Sequence, residues 1–171
     1  MPRKTKKKIV VNDDMQTDYE YYLVESSGRN FNDSFQPDLK PKEMLKLGVF
    51  GGDYFFGHID EFPKSWFRGV KLSSDGKNPN YNYFKLSASQ SLKVWQDKGW
   101  IHPDDPKGWF QWYCRYYRGR RHADDERQIK RWRAFKRHLK AVEKNCKRKD
   151  YSCRPKQRQA LLHWAYDSRK I

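Results

Sequence analysis

The stretch Pro106-Lys107-Gly108-Trp109-Phe110-Gln111-Trp112-Tyr113-Cys114-Arg115-Tyr116-Tyr117-Arg118-Gly119 decides how this chain is read. At 100° per residue its six rings, Trp109, Phe110, Trp112, Tyr113, Tyr116 and Tyr117, span about 160° of a helix. Lys107, Gln111, Arg115 and Arg118 fall opposite. Gly119 stops the helix, Pro106 suits its first position, and Asp105 suits the N-cap. The chain has 171 residues, 36% hydrophobic and 16% aromatic, so its core must be built from rings more than from aliphatics. Most rings of this helix are therefore expected in the core. Tyr113, Tyr116 or Tyr117 are the ones expected to reach a surface, because each has a hydroxyl to keep wet. A ring left exposed could stack on a nucleic-acid base.

Downstream, a longer helix is expected over about 123–145, with Asp124, Asp125 and Glu126 suited to the positive end of its dipole. Trp132, Phe135, Leu139 and Val142 form a narrow apolar stripe. Lys130, Arg133, Arg137, Lys140 and Lys144 form a basic stripe well round from it. From Gln128 to Val142 there is no acidic residue. An ordinary solvated face mixes signs, because acid–base pairs at i,i+4 support a helix and like charges repel, so phosphate is the natural partner here. A last helix, about 155–167, starts at Pro155 and buries Leu161, Leu162, Trp164 and Ala165.

Upstream, Ser87-Ala88-Ser89-Gln90 fits a capping box. It predicts a helix over about 88–98 that buries Leu92 and Trp95 and ends at Gly99. Pro41 opens a short helix with Met44 and Leu45 inward and Gly48 as its stop. Ile9-Val10-Val11 and the segment Tyr19 to Val24 read as extended chain or a short strand. Residues 26–40 and 72–82 read as loop. The expected fold is mostly α, a single small domain of about four to six helices with long loops. Residues 1–39 would form a flexible basic arm and extended segment, and 40–171 the helical basic domain.

The net charge is +16, and it is unevenly placed. Residues 101–171 hold 21 Lys and Arg against 8 acids; residues 1–100 hold 16 against 13. Such a patch attracts a polyanion: DNA, RNA or an anionic membrane surface. The predicted partner is DNA or RNA. The predicted contacts are Arg115, Arg118, Arg120, Arg121, Lys130, Arg133, Lys136, Arg137, Lys140 and Lys144. The alternatives are a structural subunit of a nucleoprotein or viral assembly, with protein partners, and a small enzyme acting on nucleic acid. For the enzyme reading, His102, Asp104 and Asp105 form one acid–imidazole group, and Asp53, His58, Asp60 and Glu61 another. Asp-Asp-Pro before a helix also reads as capping chemistry. P-loop, Rossmann, nucleophile-elbow and kinase signatures are absent from the sequence, and no cofactor is expected.

No apolar run has the length of a transmembrane helix and no signal peptide is visible, so the expected location is intracellular: cytoplasm, nucleus or, for a viral protein, the virion. Three cysteines then read as reduced thiols. For Cys146 and Cys153 the alternatives are a disulfide or a zinc site, although their spacing matches no common zinc motif.

The segment Gly99-Trp100-Ile101-His102-Pro103-Asp104-Asp105-Pro106, continuing to Arg120-Arg121, resembles a family of small basic microbial proteins. Leu47-Gly48-Val49-Phe50-Gly51-Gly52 and the stretch Arg154 to Ile171 look like parts of the same pattern. The resemblance implies that 40–171 folds as one unit with 1–39 appended. It implies no activity and no catalytic residue.

Overall fold

The computed structural model describes residues 6–55, 58–88 and 92–171. Two strands, β1 (Lys7–Val11) and β2 (Tyr19–Leu23), pair antiparallel with Ile9 opposite Tyr21. Five α-helices follow among the described residues: α1 (Pro41–Lys46), α2 (Leu92–Asp97), α3 (Trp109–Arg118), α4 (Asp125–Asn145) and α5 (Pro155–His163). The protein is mostly α, as the periodicity predicts. The chain packs as two compact units. The first holds the described residues up to Gln36 and those from Leu92 to Lys130. The second holds those from Pro37 to Ala88 and from Arg131 to Ile171.

In the first unit α3 is buried on nearly every side. Its rings Trp109, Phe110, Trp112, Tyr113 and Tyr116 are buried, and so are Gln111, Arg115 and Arg118 opposite them. Phe35 inserts on the aromatic side, its ring centroid 5.4 Å from Tyr113, 5.5 Å from Trp112 and 5.6 Å from Tyr116. Of the three tyrosines expected to reach a surface, only Tyr117 is partly exposed. The Tyr116 hydroxyl is instead turned inward, where it accepts the Asn32 N–H (2.8 Å).

The helix starts at Trp109, three residues later than predicted, with Gly108 at its N-cap in a positive-φ conformation (+99°). Asp105 is not the cap. Its carboxylate is taken up by two arginines, described below. At the other end Gly119 (φ +121°) is required. The Val24 and Glu25 N–H groups both donate to its carbonyl, and a Cβ there would collide with the Glu25 carbonyl oxygen. The helix α4 opens as its acids predict. Asp125 accepts the Trp112 indole N–H and the His122 backbone N–H, each at 2.8 Å. Within α2 the predicted inward residues Leu92 and Trp95 are only half-buried. Ser89 and Gln90 of its capping box lie outside the described residues, as do residues 1–5 of the basic arm.

In the second unit α1 follows its expected plan: Pro41 leads, Met44 and Leu45 are buried, and Gly48 (φ +63°) stops it. The apolar stripe of α4 splits by depth, with Trp132 and Val142 buried and Phe135 and Leu139 half-buried. Trp132 stacks on Tyr166 (5.0 Å, 4°), whose hydroxyl donates to the Trp132 carbonyl. Phe135 stacks on Trp164 (5.0 Å, 17°). The helix α5 ends at His163, short of the predicted 167. The chain turns at Ala165 (φ +62°), whose carbonyl accepts the Asp38 and Leu39 N–H groups. Cys146 and Cys153 form a disulfide with Cα atoms 5.7 Å apart, which corrects the reading of these two as free thiols. Cys114 is a buried free thiol.

Candidate nucleic-acid interface

The ten predicted phosphate contacts fall into two groups with different fates. In the first unit, Arg115, Arg118 and Arg120 are 0%, 8% and 2% exposed, which removes them from the surface. Asp105, itself fully buried, explains two of them. It binds Arg120 through both oxygens (2.8 and 2.6 Å) and accepts a third bond from Arg115 (2.9 Å). Arg115 also donates to the Asp104 carbonyl (2.6 Å) and to Gln16 Oε1 (2.8 Å). Tyr19 and Tyr21 lie under the two guanidinium groups at 5.0 to 5.7 Å. Burial disfavours the Arg120 charge, but its bonds to Asp105 outweigh this and hold its pKa above the ordinary value. These arginines carry the fold. Arg121 is half-buried; it donates to the carbonyls of Tyr116, Arg120, Arg29 and Asn30 and lies 4.0 Å over the Tyr116 ring. Lys130, the last residue of the first unit, is exposed.

Beside this cluster the structure assembles His102, Asp104 and His122, a histidine that sequence spacing did not single out. The Asp104 N–H donates to His102 Nδ1 (3.0 Å) and the Asp124 N–H to His122 Nδ1 (2.9 Å). Each neutral ring therefore carries its proton on Nε2, and His122 donates that proton to Asp104 (2.7 Å). A cation would need a free ring lone pair aimed at it, and both Nδ1 lone pairs are in use. The group is a hydrogen-bonded network before it is a metal site. A cavity of about 350 Å³ adjoins it, lined by Tyr19, Tyr22, Asp104, Arg120, Arg121 and His122 among others. The second predicted group, Asp53, His58, Asp60 and Glu61, does not converge as a ligand set among the described residues.

The second unit keeps its five predicted contacts outside. Arg133, Lys136, Arg137, Lys140 and Lys144 are all exposed, and among the described residues none of them forms an ion pair with a carboxylate. At 100° and 1.5 Å per residue they occupy an arc of about 100° and a length of about 16 Å. Past the helix end the loop closed by Cys146–Cys153 exposes Lys147, Arg148 and Lys149, and Arg154 and Lys156 follow. These five were not among the predicted contacts. Their signal was the charge run itself, since residues 131–158 hold twelve Lys and Arg against Glu143 and Asp150. The loop is docked on the last residues: Lys149 N–H donates to the Ile171 carbonyl (2.9 Å) and Arg148 Nε to that of Lys170 (3.3 Å).

Comparison with protein-family models, curated proteins and solved structures finds no match to this chain. No helix among the described residues is long and apolar enough to cross a membrane.

Proposed function

We propose that the protein binds nucleic acid by phosphate contacts from its second unit. Arg133, Lys136, Arg137, Lys140 and Lys144 make up the helical part of the surface. Lys147, Arg148, Lys149, Arg154 and Lys156 extend it. The observation that carries this reading is the α4 stripe of exposed cations with no acidic partner. Like charges at i,i+3 and i,i+4 repel by a few tenths of a kcal/mol each, and a bound polyanion relieves that cost. Arginine adds forked donors suited to phosphate oxygens. Arg115, Arg118 and Arg120 take no part in it, because each is buried.

Fluorescence anisotropy with labelled random-sequence oligonucleotides tests the reading. Binding at about 50 mM salt that weakens steeply as salt rises supports it. Absence of binding at that salt overturns it.

A further inference from the structure

We propose that the second unit takes single-stranded nucleic acid in preference to duplex, with the exposed Tyr83 ring, braced by Phe84 and Tyr151, as the platform for an unpaired base. This rests on the nucleic-acid reading above and names its substrate class. Tyr83 is 44% exposed, whereas every other described ring of the second unit is buried or half-buried. It is not a loose side chain. Its ring meets Phe84 edge-on (5.0 Å) and Tyr151 edge-on (6.1 Å), and Phe84 meets Tyr151 (5.3 Å), so three rings close on one another.

Tyr151 lies inside the disulfide-closed basic loop. Its hydroxyl donates to the Arg169 carbonyl (2.6 Å), and its ring has the Arg158 guanidinium 5.4 Å above it. Arg158 is fully buried and donates to the Cys153 carbonyl (2.8 Å), which ties the platform to the loop's disulfide end. Arg169 lies over Tyr83 (5.7 Å) and is itself held by Asp167 (2.8 and 2.9 Å). A fixed aromatic cluster is thus joined by a few residues of chain to Lys147, Arg148, Lys149 and Arg154.

A positive surface that tracks phosphates, with aromatic rings where bases would fall, is the arrangement that holds single strands. A duplex offers only stacked bases with no free face, so the rings would add nothing to its binding. Stacking on one ring is worth about 5- to 150-fold in affinity.

The experiment compares single-stranded, duplex and abasic oligonucleotides of one length, about twelve nucleotides, at fixed salt, on the full chain and on Tyr83→Leu and Tyr83→Phe. Tyr83→Leu keeps apolar bulk over Phe84, and its unfolding midpoint reports whether packing survives. The expected result has four parts. The single strand binds more tightly than the duplex. Tyr83→Leu weakens single-strand binding by about 5-fold or more, with an unchanged salt slope. Tyr83→Phe binds like the parent. The abasic strand binds the parent and Tyr83→Leu alike. Equal affinity for duplex and single strand, or an abasic strand that binds the parent as well as the base-bearing one does, overturns the proposal while leaving phosphate binding intact. No binding of any oligonucleotide at low salt overturns both readings.

Discussion

Asp105 shows most clearly how one residue organises this fold. Its carboxylate is fully buried and carries three bonds from two guanidinium groups, leaving one net positive charge in this cluster. Gln16, the Asp104 carbonyl and the rings of Tyr19 and Tyr21 absorb that excess. Asp105→Ala would leave two buried cations without their anion, a loss of about 3–5 kcal/mol. Asp104→Ala, at a side chain 42% exposed, should cost far less. Urea unfolding of both variants checks this; equal midpoints would show that the buried triad does not hold the unit together.

His163 makes a second residue-scale case, in the second unit. Burial, with Lys77 nearby, pushes its pKa down to about 3 from an unfolded value of 6.5. The unfolded chain binds the proton first. Stability is therefore full above pH 6.5 and falls as pH drops toward 3, by at most about 1.4 kcal/mol per pH unit. Between pH 6.5 and 5, before carboxylates titrate, the parent should lose about 1–2 kcal/mol, and His163→Gln should show a flatter profile. Urea unfolding at the two pH values measures the difference, and a parent as stable at pH 5 as at pH 6.5 would contradict a buried neutral imidazole.

At the scale of the element, α3 and α4 make opposite use of basic residues. In α3 both arginines are buried, and Arg115 is turned onto Asp105 and Gln16. In α4 only Trp132 and Val142 of the apolar stripe are fully buried, and the cations from Arg133 to Lys144 stay outside. Replacing Lys136 and Arg137 together with glutamine should leave stability within about 0.5 kcal/mol, because both are exposed. It should lower the slope of log affinity against log salt by about 1–2, since up to two phosphate contacts are lost. A salt titration of oligonucleotide binding reads the slope, and an unchanged slope would remove this face from the interface. The period-3.6 pattern was enough to place both helices, Met44 and Leu45 of α1, and Leu161 and Leu162 of α5, but not the half-buried Trp164 or the turn at Ala165 beyond the helix end. The late start of α3 was not legible, because Asp105 is held by arginines ten and fifteen residues away rather than by the helix it precedes.

For the whole molecule, the charge of +16 dominates its encounter with any polyanion. With six or more phosphates neutralised, affinity should fall by about 1,000-fold between 50 and 200 mM salt. Binding measured across that range checks it, and a fall of less than about tenfold would mean that one or two contacts carry the complex. The ten exposed cations from Arg133 to Lys156 supply enough positive groups for such a slope without the buried arginines.

The sequence by itself determined the helices, the ring-built core and the one-sided charge, because each follows from local spacing and residue type. Only the tertiary structure decided which cations are surface and which are scaffold. An arginine's fate depends on whether a distant group meets it. Gln16, 99 residues from Arg115 in sequence, and Asp105, fifteen from Arg120, make that choice through packing. The same holds for Tyr83. Its spacing did not distinguish it from a core ring, and only the closing of Phe84 and Tyr151 around it left it fixed and exposed beside a basic loop.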